Sequence, residues 1–231
     1  MLRRWCLGTM RMSFFATRRF FPLFATQFLG AFNDNLLKNA LVMLITYRLS
    51  SGENAQLLVT LAAGLFILPF FLFSATAGQL ADKYDRARIT RIIKLAEIGI
   101  MLAAVAGFYA QHVEFLLLAL FAMGAHSTFF GPIKYALLPQ HLKENELVAG
   151  NGFIELGTFL AILLGTILGG LLILHEDGVL LISVGLLAVS ALGYVSSRAI
   201  PAAPAPEPGL AVSFNLWSTT WRILGDAKQD R

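Results

Sequence analysis

What most constrains this chain is the recurrence of apolar runs, each near the length needed to cross a bilayer. Five are Leu57–Phe73, Ile89–Ala110, Phe115–Leu138, Gly152–Leu174 and Val179–Val195, and a sixth segment, Phe20–Thr46, precedes them. About 20 apolar residues carry a helix through the hydrocarbon, so the pattern predicts an all-α integral membrane protein with six transmembrane helices. The runs are continuous rather than alternating, which disfavours a transmembrane β-barrel. Composition excludes a soluble globule: 57% of the 231 residues are hydrophobic and 14% charged, against roughly 25% charged in ordinary domains. The formal net charge of +4 does not point to nucleic acid, because the basic residues gather at the ends of the apolar runs.

The distribution of those basic residues predicts the topology. Arg3, Arg4, Arg11, Arg18 and Arg19 precede the first span, with no short apolar core and small-residue cleavage site between. Residues 1–19 are therefore expected to be a basic cytoplasmic leader rather than a removable signal peptide. Lys83, Arg86, Arg88 and Arg91 surround the second connection and Lys143 lies in the fourth, whereas the alternate connections offer Arg48 among Glu53, Glu114, Glu176 and Asp177. Loops rich in Lys and Arg stay inside, so both termini are expected in the cytoplasm. Residues 20–198 form the helical bundle. Residues 199–231 begin with Ile200–Pro208, a stiff Pro/Ala linker. They continue into an amphipathic stretch carrying Trp217, Trp221, Ile223 and Leu224, suited to the membrane surface. A single cysteine, Cys6, leaves no internal disulfide and no Cys-rich metal site; neither metal nor cofactor is expected.

The first span interrupts its own apolar run with Asn33-Asp34-Asn35 and Lys38-Asn39. At about 1.5 Å per residue from Phe21, Asp34 lies roughly 20 Å along the axis, near mid-bilayer. A charge there costs about 2.5–3.5 kcal/mol on insertion scales, so it faces a bundle interior or a wet cavity. Asp34 and Lys38 are four apart and share a stripe with Gln27 and Ala31. One reading is a neutralised pair that glues helices together. Three asparagines around the pair are more than packing needs, and favour a hydrated ligand site.

Other intramembrane polar residues are fewer. Lys94 and Glu97, three apart, are a charge pair of either structural or functional kind, with Lys94 also able to snorkel. His126, Phe130 and Lys134 follow one stripe in the fourth span; His126 by itself reads as a packing residue, and Lys134 either lines a cavity or snorkels. Pro132 should kink or break that helix, which membrane proteins tolerate beside a cavity. Asn151, Glu155 and Thr158 form a stripe at a depth like that of Lys134, which makes Lys134–Glu155 an expected pair. Gly157, Ala161, Gly165 and Gly169 repeat every four residues, as in close helix packing. His141 and Glu146 have a spacing near that of an acyltransferase pair, but that chemistry takes an Asp at the second position. No catalytic motif is found, and no enzyme is expected in these residues.

Several stretches resemble a known family. Gly78, Leu80, Ala81, Asp82, Lys83 and Arg86 match the signature loop of the major facilitator superfamily, with Asp85 where the family usually has Gly and Ala87 where it has a basic residue. Gly165–Gly170 is similar to its fifth-helix motif, with Thr166 in place of proline. Within the superfamily, residues 27–40, Gly78–Lys83 and Phe129–Gln140 resemble the bacterial lysophospholipid transporters, which occur alone or fused to an acyltransferase and an acyl-acyl-carrier-protein synthetase. The resemblance implies the N-terminal six-helix half of that fold, two three-helix inverted repeats, in the bacterial inner membrane. The C-terminal half would be supplied by the same polypeptide or by another chain. It implies a gating role for Gly78, Asp82, Lys83 and Arg86. A lysophosphatidylethanolamine-like substrate would meet Asn33, Asp34, Asn35, Lys38, Asn39, Lys134 and Glu155, with Lys94, Glu97 and His126 as proton carriers or charge pairs, amid membrane lipids. Rival readings are a proton-coupled facilitator of a small polar solute or drug, a membrane anchor of a fused acyltransferase, and a non-functional gene fragment.

Overall fold

A computed structural model describes residues 14–49 and 52–212. The leader positions Arg3, Arg4, Cys6 and Arg11 and the tail from Phe214 onward lie outside the described residues. Six helices follow in order: α1 (Phe21–Leu44), α2 (Glu53–Lys83), α3 (Arg86–Ala110), α4 (Val113–His141), α5 (Glu144–Leu172) and α6 (Gly178–Arg198). A wider π-helical turn, Ile45–Leu49, extends α1. Helices α2 to α6 are long and apolar enough to cross a membrane. At 24 residues α1 is about 36 Å long, sufficient in length, but its cluster of Asn, Asp and Lys interrupts the apolar run.

Helix ends follow from local chemistry. Pro22 occupies the first turn of α1, where a missing N–H costs nothing. Asp85 caps α3, its Oδ1 accepting the Arg88 N–H at 2.7 Å, as an Asp at that position should. Its φ is −56°, so the loop needs no glycine where the family usually has one. Glu146 Oε2 accepts the Lys143 N–H at 2.9 Å at the start of α5 and also meets Arg19 at 3.2 Å. Arg19 also donates to the His141 carbonyl at 3.2 Å, so His141 and Glu146 meet here through Arg19. Pro132 does not break its helix: α4 runs from Val113 to His141, with Pro132 and Pro139 inside it.

Helix α1 packs chiefly on α5 and α6, α2 on α4, and α3 on α4 and α6. The glycine stripe of α5 meets α1 directly. A Cβ on Gly165 would stand 2.5 Å from the Phe32 carbonyl oxygen, and one on Gly169 2.6 Å from that of Leu36. Two apolar cores result. One joins Leu36–Leu44 to Met101, Phe108, Leu120 and Ile182; the other joins Phe20 and Leu23 to Ala87, Ile133, Leu138 and Ile154. Between them, at matching depth on three helices, lie Asn33, Lys94, Glu97 and His126, all buried.

The end of the bundle bearing the α2–α3 loop is closed by the segment after α6. Ile200 and Ala203 are buried in the second core. The Arg86 N–H donates to the Ala203 carbonyl at 2.9 Å, Ala203 N–H donates to Asp85 Oδ2 at 3.1 Å, and Glu207 N–H donates to the Asp82 carbonyl at 3.0 Å. The Pro/Ala segment is docked along this length rather than standing free of the bundle.

Candidate functional site

A cavity of about 310 Å³ lies between α1, α2, α4 and α5, with α3 behind it. It forms where α2 and α5, each packed on a different neighbour, diverge. Gly30, Asp34 and Lys38 enter from α1, Phe66 and Phe70 from α2, His126, Ser127 and Lys134 from α4, and Thr158 and Ile162 from α5. Its size is at the low end for ligand sites, sufficient for a polar headgroup but not for a long acyl chain.

Asp34 and Lys38 share the cavity, as their spacing predicts, but no ion pair joins them. Asp34 Oδ2 instead accepts the Ser127 hydroxyl at 2.6 Å. Its Oδ1 is buried with no donor from the protein, and such an orphan acceptor calls for a water or ligand partner. Lys38 stands 5.2 Å from the centre of the Phe66 ring, within cation–π range. Lys134 lies 4.8 Å from the ring centre of its neighbour Tyr135. The expected Lys134–Glu155 pair does not form either; Glu155 accepts the Tyr135 hydroxyl. Among the described residues, the ion pairs are Arg19–Glu146, Arg86–Asp82 and Lys94–Glu97, with His126 beside the last. Lys38 and Lys134 are thus cavity cations with no carboxylate within 4 Å, though Asp34 is near both and Glu155 is near Lys134.

The asparagines divide. Asn35 borders the cavity, but its amide is spent on the Ala31 carbonyl at 2.8 Å. Asn39 donates to the Asn35 carbonyl and to Thr166 of α5. Asn33 faces away, fully buried, and donates to Glu97 Oε1 at 2.9 Å. Neither Asn33 nor Asn39 lines the cavity.

Behind the cavity wall, Lys94 Nζ donates to Glu97 Oε2 at 2.7 Å with both side chains 0–1% exposed. Snorkelling is ruled out for Lys94. The His126 Nε2 atom stands 3.3 Å from the same oxygen, a charge-pair distance, though the ring is not aligned as a hydrogen-bond donor and both its nitrogens lack partners. A buried pair of this kind is tolerated only with supporting hydrogen bonds, which Asn33 supplies. Toward the α2–α3 loop, Arg86 pairs with Asp82 at 3.0 Å and donates to the Ala81 and Ala136 carbonyls, tying that loop to α4. Lys83 lies over Tyr84, and a Cβ on Gly78 would meet open space.

Sequence reading passed over Ser127 and the aromatic wall of Phe66 and Phe70. Ser127 was readable: with Gly131 and Lys134 it follows the i, i+4, i+7 spacing of one helix face. Phe66 and Phe70 carried no such signal, since Phe71 and Phe73 crowd the same apolar stretch of α2.

Comparison with known proteins agrees with this architecture. The chain is 32% identical over 202 residues to the lysophospholipid transporter LplT of Escherichia coli O6:K15:H31, covering 86% of this chain and 46% of that protein. It is 30% identical over 191 residues to LplT of Enterobacter sp. strain 638, covering 82% and 45%, and 27% identical over 215 residues to LplT of Serratia proteamaculans, covering 89% and 51%. The chain spans about half the length of these curated relatives. Residues 23–227 match the Major Facilitator Superfamily, and the chain belongs to that superfamily.

Proposed function

We propose that this chain is the N-terminal six-helix half of a transporter that moves a one-tailed glycerophospholipid, lysophosphatidylethanolamine-like, across the bacterial inner membrane. The observation that carries this reading is the uncommitted charge around one cavity: Asp34 with a free buried oxygen, Lys38 and Lys134 with no carboxylate in ion-pair contact. A zwitterionic headgroup matches it group for group. Its phosphate takes the two ammoniums through charge-assisted bonds, and its own ammonium takes Asp34 Oδ1. The acyl tail rests against Phe66, Phe70 and Ile162 or stays in lipid. In this reading α1 crosses the membrane with its polar side covered by its neighbours. Both termini are cytoplasmic, and α1–α3 and α4–α6 are inverted repeats. A C-terminal half, in the same polypeptide or another chain, closes the open side of the cavity and rocks against this half to give alternating access. The Asp82–Arg86 pair then serves as the cytoplasmic latch.

The test is the double change Asp34→Leu with Lys38→Leu, expressed with the C-terminal half. Headgroup binding predicts a folded protein that no longer takes up lysophosphatidylethanolamine; normal uptake by a well-folded double variant refutes it. A second reading, a proton-coupled carrier of a small polar solute, draws support from His126 beside Glu97. It predicts that water-soluble solutes compete for binding, where the lipid reading predicts that only one-tailed lipids do.

A further inference from the structure

Gly30 lies on the cavity side of α1, and the space its side chain would fill is already taken. A Cβ built on Gly30 would overlap the Nζ of Lys94, with Cε next at 3.6 Å. Both residues border the cavity, and the Lys94 side chain is fully buried, so its ammonium lies directly beneath the thin place that the glycine leaves in α1. Lys94 enters from α3, a helix otherwise hidden behind α1 and α4.

The donor capacity of that ammonium is mostly unspent. It has three N–H groups; Glu97 Oε2 takes one at 2.7 Å, and the Phe130 ring faces another from 4.9 Å. Glu97 does not depend on Lys94 alone, because Asn33 donates to its other oxygen and His126 adjoins it. The carboxylate therefore stays supported if the ammonium shares itself with a second anion.

We propose that Gly30 is a specificity-determining position, a window through which Lys94 joins Lys38 and Lys134 as a third cation for a phosphate group in the cavity. The inference rests on the headgroup reading above and adds a residue to it. A phosphate could be that of a lipid headgroup or of a free glycerophosphodiester; the chemistry recognised is the same, and the acyl tail separates the two.

The window makes a prediction that mere packing does not. In Gly30→Ala the methyl group displaces the ammonium from the wall. Lys94→Met with Glu97→Gln removes both charges, while the new amide oxygen still accepts from Asn33. Binding of a photoreactive lysophosphatidylethanolamine to the whole chain in native membranes is measured for each variant. Competition by unlabelled lysophosphatidylethanolamine, by glycerophosphoethanolamine and by phosphate-free monoacylglycerol is measured alongside. Each variant should weaken phospholipid competition at least tenfold and leave monoacylglycerol competition unchanged. Adding Gly30→Ala to the variant that already carries Lys94→Met and Glu97→Gln should cost nothing further, because the glycine acts through Lys94. An additive loss, or an equal loss for monoacylglycerol, overturns the window in favour of simple steric filling. Full phospholipid binding by Gly30→Ala, with Lys38→Gln impaired, also overturns it while sparing the headgroup site. Competition by glycerophosphoethanolamine as strong as by the lipid assigns the phosphate to a soluble ligand and overturns the lipid reading but not the window. No specific labelling of the unsubstituted chain overturns both.

Discussion

Substituting glycine by alanine should change stability in opposite directions at two positions of this bundle. At Gly165 the new Cβ stands 2.5 Å from the Phe32 carbonyl oxygen, 3.1 Å from Asn35 Cβ and 3.2 Å from the Leu36 nitrogen. Carbon and carbonyl oxygen meet at about 3.3 Å even in close contacts, so α1 and α5 must part by roughly 0.8 Å. Two of the three obstacles are backbone and cannot rotate away. Overpacking of this kind costs about 1–3 kcal/mol, offset in part by the ~1 kcal/mol that alanine gains over glycine in a helix. At Gly99 the same change meets nothing within 4 Å and only the gain remains. Reversible unfolding in mixed micelles should therefore place Gly165→Ala below the unsubstituted chain by up to about 2 kcal/mol and Gly99→Ala above it by about 0.5–1 kcal/mol. Gly165→Ala as stable as Gly99→Ala would show that α1 and α5 are not in backbone contact. The displacement also carries Thr158 and Ile162 away from the cavity, so ligand binding should fall with Gly165→Ala and not with Gly99→Ala.

Other outcomes follow from single contacts. Lys94→Met alone strands the buried Glu97 carboxylate and should cost about 3–5 kcal/mol in the same unfolding assay, whereas Lys94→Met with Glu97→Gln should come within ~1 kcal/mol of the original; equal losses would mean the pair is not buried. Asp85→Ala removes the acceptor of both Arg88 and Ala203. It should cost about 1 kcal/mol as a lost helix cap and raise amide exchange across residues 199–207; unchanged exchange there argues against docking of the segment on Asp85. A cysteine at the exposed Glu176 should be labelled from the periplasm and one at Tyr84 or Asn145 should not; the reverse pattern would invert the topology.

The spans were legible because hydrophobicity over twenty residues is a one-dimensional property. Helix placement follows it closely for α1, α3, α4 and α6, whereas α2 runs on past Phe73 to Lys83 and α5 begins before Gly152, at Glu144, through polar residues that the runs left out. The close approach of α5 to α1 was legible for a similar reason: Gly157, Ala161, Gly165 and Gly169 mark one face by period alone. Partners of the polar residues were less legible. Asp34 and Lys38 are neighbours in sequence, and pairing them was the cheapest guess; the fold instead brings Ser127 of α4 to Asp34 and the Phe66 ring of α2 to Lys38. Lys94 and Glu97 do pair, both side chains being buried away from water. The rule is physical. Spacing on a helix fixes which residues share its face, whereas contacts across helices depend on rotation and depth, which no local pattern encodes.

Asn33 and Asp34 illustrate how α1 combines structure with a site. Successive residues of a helix are turned by about 100°, so one of the two can face the bundle interior while the other faces the cavity. Asn33 bonds Glu97 of α3, and Asp34 bonds Ser127 of α4. Ser127 is in turn next to His126, which adjoins Glu97. These residues close a loop through three helices. A shift of α4 relative to α1 therefore disturbs the Asp34 side of the cavity and the buried carboxylate together. Helix α2 touches α1 little and α4 extensively, and a Cβ on Gly124 of α4 would overlap the Phe66 carbonyl oxygen. The Phe66 wall is therefore carried on α4, so a shift of α4 moves the aromatic and the charged sides of the cavity together.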